Sequence, residues 1–486
     1  MKKTIKLFSI LTILFFSVSC EDFSTELEVE NLENPNDQIL TSDPVALEAI
    51  SKSIIHSWYM THTNYYGPCM AMATMSDIIT CSWGNSGMRD TSSEPRVAFN
   101  NSAAYGSGYI TNNYFNSLYS VLADSNTLGK AIVNETEFDD PAKIEMISKL
   151  GQALSIGYLA IVFDQVWLSD ETGAVNEDGS SSTYAEAMTF ALDKLDQAIS
   201  IANANNITLD DGFIPGGQGS RIVEFMNSLG ARMLVTNVRN GSQKATINWA
   251  KVLTYAQNGI TSDFEIYMDD VSWYTYVPQT YLVYPGWARV DMRVVNMMDP
   301  NTQDYWTDNL TFLPESTSVD ARLLTDYQYL SSNNFRPERG YYHYSNYRYS
   351  RYDSYITYWT ENLVVYSKSE NDMYMAEAMA QMGDLAGAAG VINAGTRVTR
   401  GNLPLVNANL ADISYAIHYE RSVEFAFTSP FIGFGEMRKE DMLQPGTPLH
   451  FPVPGKALDA IPAPNYTFGG TTGVAGEDYS TGGWRN

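Results

Sequence analysis

Within residues 142–166 the apolar positions Ile144, Ile147, Leu150, Ala153, Leu154, Gly157, Tyr158 and Ile161 recur at close to a three-four spacing. That period aligns them along one stripe of an α-helix, whereas a strand would need a period of two. Asp140-Pro141 stands just ahead of the run, and proline is a common first-turn residue of a helix. A long helix with an apolar stripe needs partners to cover it, and the chain supplies them. Helical spacing recurs over 43–64 (with Pro44 near its start), 112–133 and Tyr184–Ala204, where Leu192, Leu195, Ala198 and Ile199 share a face. The Gly-rich turn Pro215-Gly216-Gly217-Gln218-Gly219 precedes another helix over 221–237, partnered by Trp249–Gln257. Helices resume over 361–398 and 409–427, and Gly383-Asp384 forms a tight turn between 370–382 and 385–397. The expected fold class is mostly α, with tetratricopeptide-like helical hairpins stacked into a scaffold with a continuous core.

Residues 260–360 break the pattern. Helical periodicity weakens, and Pro278, Pro285, Pro300, Pro314 and Pro337 punctuate the stretch. The chain holds 32 Tyr against 20 Phe and 9 Trp, and much of the Tyr gathers here. Trp273-Tyr274-Thr275-Tyr276 with Tyr281, Tyr284 and Trp287 is one cluster, and residues 341–349 are another. Aromatic rings with polar tips suit a surface that stacks on flat ligand faces, although many such rings simply pack against helices. The expected organisation is one domain over 41–486. It has a helical scaffold (41–259 and 361–427), a loop-rich aromatic insertion (260–360) and an irregular tail (428–486).

The N-terminus is of a different kind. Lys2, Lys3 and Lys6 precede the apolar run Leu7–Phe16, and Ser17-Val18-Ser19 leads to Cys20. A charged start, a short apolar core and small residues before a break describe a secretory signal. The run is too short to span a bilayer, which takes about 20 apolar residues. A cysteine at the break points to a lipoprotein with residues 1–19 removed and lipid on Cys20. Residues 20–40 are acidic and Asn-rich, as a tether would be. Loss of the three lysines takes the net charge from −26 to −29, which argues against nucleic acid as a partner. Cys69 and Cys81 are the remaining cysteines; export permits a disulfide between them, and two buried thiols fit equally.

The sequence contains no Gly-x-Ser-x-Gly elbow, Walker loop, dinucleotide fingerprint or His-Glu-x-x-His motif, and its five His residues are scattered. No metal, cofactor or catalytic set is indicated. An exported helical glycoside hydrolase would need two carboxylates at a fixed separation, which sequence cannot display. A structural surface protein without a small ligand is the third class.

Several motifs occur in a telling order: Cys20-Glu21-Asp22-Phe23; Tyr114-Phe115-Asn116-Ser117-Leu118-Tyr119 with Asp124-Ser125-Asn126; Gly151-Gln152-Ala153 with Tyr158-Leu159 and Phe163-Asp164-Gln165-Val166; and Asn227-Ser228-Leu229-Gly230-Ala231-Arg232. Glu370-Asn371-Asp372-Met373-Tyr374-Met375-Ala376-Glu377-Ala378 follows, with Gly383-Asp384 and Arg397, then Ile417-His418-Tyr419-Glu420-Arg421 with Glu424-Phe425-Ala426-Phe427, and Leu449-His450-Phe451-Pro452-Val453-Pro454. In this order, behind a lipoprotein signal, they resemble the SusD/RagB family of outer-membrane nutrient-binding lipoproteins over nearly the whole chain. The family pattern is left at Thr428-Ser429-Pro430, where an acid and a Gly-x-Arg turn usually follow.

The resemblance implies a lipid-anchored protein at the outer face of the outer membrane. It would cap a SusC-like TonB-dependent transporter and hand it an oligosaccharide, or a peptide as in other members, without catalysing a reaction. Glu377, Arg397, Glu420, Arg421 and Glu424 are expected in helix-to-helix ion pairs, because buried charges must be paired. For ligand contact, Trp83-Gly84-Asn85-Ser86-Gly87-Met88-Arg89 brings an aromatic plane, an amide and a guanidinium together, so Trp83, Asn85 and Arg89 form one candidate wall. The insertion offers Trp273, Tyr274, Tyr276, Trp287 and Tyr347 as the other.

Overall fold

The computed structural model describes residues 43–485 except 65, 82–83, 210, 215–216, 218, 276–287, 306–312, 332–342, 427–430 and 471–478, together with all side chains in that set but those of His62 and Asn85. The signal, Cys20 and most of the tether lie outside the described residues. The scaffold is built from α1 (Pro44–Thr63), α2 (Cys69–Met75), α3 (Tyr109–Val133), α4 (Pro141–Val162), α5 (Tyr184–Ala204), α6 (Gly219–Thr236) and α7 (Trp249–Gln257). Beyond the insertion it continues with α8 (Lys368–Gln381), α9 (Leu385–Ala394), α10 (Leu410–Val423) and α11 (Ile432–Lys439).

Local chemistry sets the helix starts. Asp43 accepts hydrogen bonds from the amides of Val45 (3.0 Å) and Ala46 (3.3 Å), with Pro44 at the first position. Thr183 and Glu186 form a reciprocal capping box at α5. Gly383 takes a φ of +91° in the turn into α9, where Asp384 accepts from the amide of Gly387. From α3 to α10 each helix packs on its neighbour in chain order, with α1 against α3, so the expected stack of hairpins is what forms.

The periodic helix α4 is more enclosed than one stripe implies, since every residue from Met146 to Val162 is buried. Two of its buried polar side chains bond to α3: Ser148 donates to the Ser125 carbonyl (2.7 Å) and Gln152 to Asn126 Oδ1 (2.9 Å). Gly151 permits the close approach of α3, because a Cβ there would lie 2.1 Å from Ser125 Oγ.

The insertion is closed at its base by a strand pair. Strands β1 (Ile79–Cys81), β2 (Phe264–Met268), β3 (Ala288–Val290), β4 (Tyr327–Tyr329), β5 (Tyr347–Tyr349) and β6 (Glu361–Tyr366) form two-stranded ladders. β2 pairs antiparallel with β6, with Ile266 opposite Leu363, so both ends of the insertion meet. Residues 361–366 are therefore strand, not the expected helix start; Leu363-Val364-Val365 suits a pleated, half-buried surface. β1 pairs with β3 and β4 with β5. The Tyr327–Tyr349 and Tyr329–Tyr347 cross-strand ring pairs lie 5.3 and 5.4 Å apart.

Buried ions join insertion to scaffold. Arg322 lies 2.8 Å from Asp320, 2.7 Å from Glu420 and 2.9 Å from Glu424, all nearly inaccessible. Arg421 bridges Glu377 (2.7 Å) and Glu436 (2.6 Å), and Arg397 approaches Glu420 at 3.8 Å. The expected ion pairs thus form, with Arg322, Arg351 and Arg400 as additional partners. Cys69 and Cys81 are both buried and are not joined by a disulfide. Among the described residues no helix is long and apolar enough to cross a membrane.

Candidate functional site

A groove runs between α1 and α3. One part, about 230 Å³, is lined by Thr61, Asn64, Tyr66, Asn113, Asn116 and Ser117. The other, about 420 Å³, adds His56, Met60, Ser120, Asp124 and Tyr274. Thr61, Asn64 and Ser117 line both, so the two parts adjoin. On α3 the polar lining residues fall at positions 113, 116, 117, 120 and 124, the three-four steps that put side chains on one helix face, with Tyr114 and Val121 beside them. Among the described residues the side chains of Asn113, Asn116, Ser117 and Asp124 make no hydrogen bond. Asn64 Oδ1 accepts from the Tyr66 amide (2.9 Å), which leaves its Nδ2 donors. Burial raises the Asp124 carboxyl above its ordinary range. Amides and hydroxyls with open valences can both donate and accept, which matches the hydroxyl rim of a sugar.

An aromatic residue marks each end. Tyr66 is 49% exposed and sits edge-on to Tyr109, centroids 5.5 Å apart. The Tyr109 hydroxyl accepts from the amide of Ser86 (2.8 Å), so the Asn85–Gly87 turn stands beside this end. At the other end Tyr274 is half-buried, and its segment is pinned to α1 by a 2.7 Å contact between His56 Nε2 and the Ser272 carbonyl. A separate cavity of about 220 Å³ opens beyond the Asn85–Gly87 turn, walled by Met75, Val97, Phe99, Tyr105 and Pro448. Its charged members are occupied: Arg96 binds Asp77 at 2.5 Å and Asp90 accepts from the Tyr105 hydroxyl at 2.6 Å. The groove therefore carries the greater number of open polar groups.

No protein-family model and no curated protein matches the sequence. Solved structures do. A SusD superfamily protein from Bacteroides vulgatus matches 82% of this chain and 87% of its own, with a TM-score of 0.56 and 13% identity. A SusD-like protein from Bacteroides fragilis matches 84% of this chain and 88% of its own, with a TM-score of 0.56 and 15% identity. The fold is SusD-like. Surface glycan-binding protein A from Bacteroides uniformis also matches 86% of this chain and 98% of its own, with a TM-score of 0.57 and 13% identity.

On this SusD-like frame the expected ligand contacts separate. Tyr274 lines the groove. Arg89 is exposed, one turn beyond the Asn85–Gly87 turn. Trp273 is buried at 6% exposure, ringed by His56 (4.8 Å), Tyr59 (5.5 Å) and Phe213 (5.8 Å). Tyr347 is buried at 3%, and its hydroxyl accepts from the Ser316 amide (2.7 Å). Neither ring has an open face for a ligand, so both move from the expected binding wall to the core. Trp83, Tyr276, Trp287 and the Asn85 side chain lie outside the described part. The residues that sequence reading missed are Asn113, Asn116, Ser120 and Asp124. A signal existed: the polar face of α3 is built from amides and hydroxyls rather than the Lys and Glu usual on a solvated helix.

Proposed function

We propose that this protein is a cell-surface binding lipoprotein, anchored in the outer membrane through Cys20. It captures an oligosaccharide in the α1–α3 groove and hands it to a SusC-like TonB-dependent transporter. The observation that carries the binding step is the groove itself: an open-valence row of Asn113, Asn116, Ser117 and Asp124, with Tyr66 and Tyr274 at its ends. Stacking on sugar C–H faces and hydrogen bonding to the hydroxyl rim are the two things a glycan site must do, and this groove offers both. The SusD-like fold, and a structural neighbour named as a surface glycan-binding protein, support the same reading. The transporter and the outer-membrane address rest on the resemblance in sequence motifs.

The test is isothermal titration of the purified mature protein against a panel of oligosaccharides and peptides, with chromatography of the recovered ligand. Retention without turnover is expected. Paired Asn113→Ala and Asn116→Ala substitutions are expected to weaken binding at least tenfold with an unchanged melting temperature. Shortened saccharides in the eluate would establish a hydrolase instead, and retention of peptides alone would replace the glycan.

A further inference from the structure

We propose that the groove selects uncharged, short linear oligosaccharides and rejects acidic ones; this rests on the groove being the glycan site. Three observations carry it. First, no lysine or arginine is among the described lining residues. The one titratable nitrogen, on His56, belongs to a ring already bound to the Ser272 carbonyl. A uronate or sulfate group needs a cation or a dense set of donors to replace its hydration, and the described lining has no lysine or arginine to give. Second, the single carboxylate among the described lining residues, Asp124, lies half-buried and pairs with no described cation, so an acidic sugar would meet a like charge at short range. A sugar hydroxyl donating to Asp124 meets no such penalty. Third, α3 contributes lining residues from Asn113 to Asp124, a length of about 16 Å at the helical rise. That is longer than one pyranose ring, and an aromatic at each end gives a chain of rings two stacking points.

The probes are neutral hexaoses of glucose, xylose and mannose, set against oligogalacturonate and chondroitin sulfate hexasaccharides, titrated at low salt where charge effects are largest. At least one neutral hexaose is expected to bind at least tenfold more tightly than either acidic chain, and the corresponding monosaccharide to bind at least tenfold more weakly than its hexaose. Asp124→Lys, or Ser120→Lys at an exposed position one turn away should the first variant fold poorly, is expected to raise affinity for oligogalacturonate at least tenfold. Equal affinity of the native protein for acidic and neutral chains, both lost in Asn116→Ala, would overturn the charge selection and leave the groove as the glycan site. Binding by any chain that Asn116→Ala, Asn113→Ala and Tyr66→Ala all leave unchanged would overturn the groove reading itself.

Discussion

Trp273 and Tyr274 are neighbours in sequence with opposite roles. Trp273 fills the space between α1 and the segment around Phe213, and Tyr274 reaches the groove because its neighbour is wedged there. Trp273→Ala is expected to cost about 3–5 kcal/mol, the usual range for emptying a buried aromatic site, read as a lower urea midpoint. Tyr66→Ala, at a half-exposed ring, is expected to leave that midpoint alone and weaken glycan binding about tenfold, as loss of a central aromatic contact does. Asp291 tests a different property. It is buried beside Asp77, and burial first, then that charge, pushes its carboxyl up to about 7. The fold therefore holds a proton on Asp291 that the unfolded chain releases near pH 4. Between those values the native state binds more protons, so this group's contribution to stability falls as pH rises from about 4 to 7 and is flat above. Asp291→Asn keeps an acceptor for the Arg293 amide and can still bond Thr80. It is expected to raise the melting temperature at pH 8 by about 1–3 °C and to do less at pH 5, a difference that calorimetry at the two pH values resolves.

Among the elements, the boundary between legible and hidden follows the range of the interaction. Helices α5 and α7 begin and end where the spacing and caps place them, because a three-four stripe and a capping box are written within a few residues. Residues 361–366 were hidden because their partner, β2, is almost a hundred positions away, and an isolated Leu-Val-Val run does not reveal its ladder. The tyrosines of the insertion were hidden for the same reason: a run dense in Tyr reads as surface until β4 and β5 are seen to pair their rings. The groove is hidden again, since α1 and α3 each carry only half of it. Ion pairs were legible as a need, but the partner was not: Arg322 comes from the insertion, which gave no periodic signal. Arg322→Ala would leave Asp320, Glu420 and Glu424 buried without their shared cation, and breaking such a cluster is expected to cost about 3–5 kcal/mol in chemical denaturation. Arg322→Lys retains the charge without the planar fork and is expected to recover part of that loss.

At the scale of the whole molecule, the fold and the address of the protein are written in separate places. The SusD-like body from Pro44 onward offers no described helix long and apolar enough to cross a bilayer, and the charge of residues 20–486, −29, gives no attraction to an anionic surface. In the proposed reading, membrane attachment comes from the N-terminus. Cys20 follows a charged start, an apolar run too short to span and the small residues Ser17-Val18-Ser19, which is where a lipid would be added. One acyl chain binds a membrane only marginally, so a stable anchor at Cys20 requires more than one. Because the groove lies within the folded body and the acidic segment separates that body from Cys20, anchoring and binding are expected to be independent. Cys20→Ala is therefore expected to move the protein from the membrane pellet into the soluble fraction while its affinity for a neutral hexaose stays the same. A variant that remains in the pellet after a carbonate wash would sink the lipid anchor. One that is released but no longer binds would show instead that the N-terminal segment takes part in the groove.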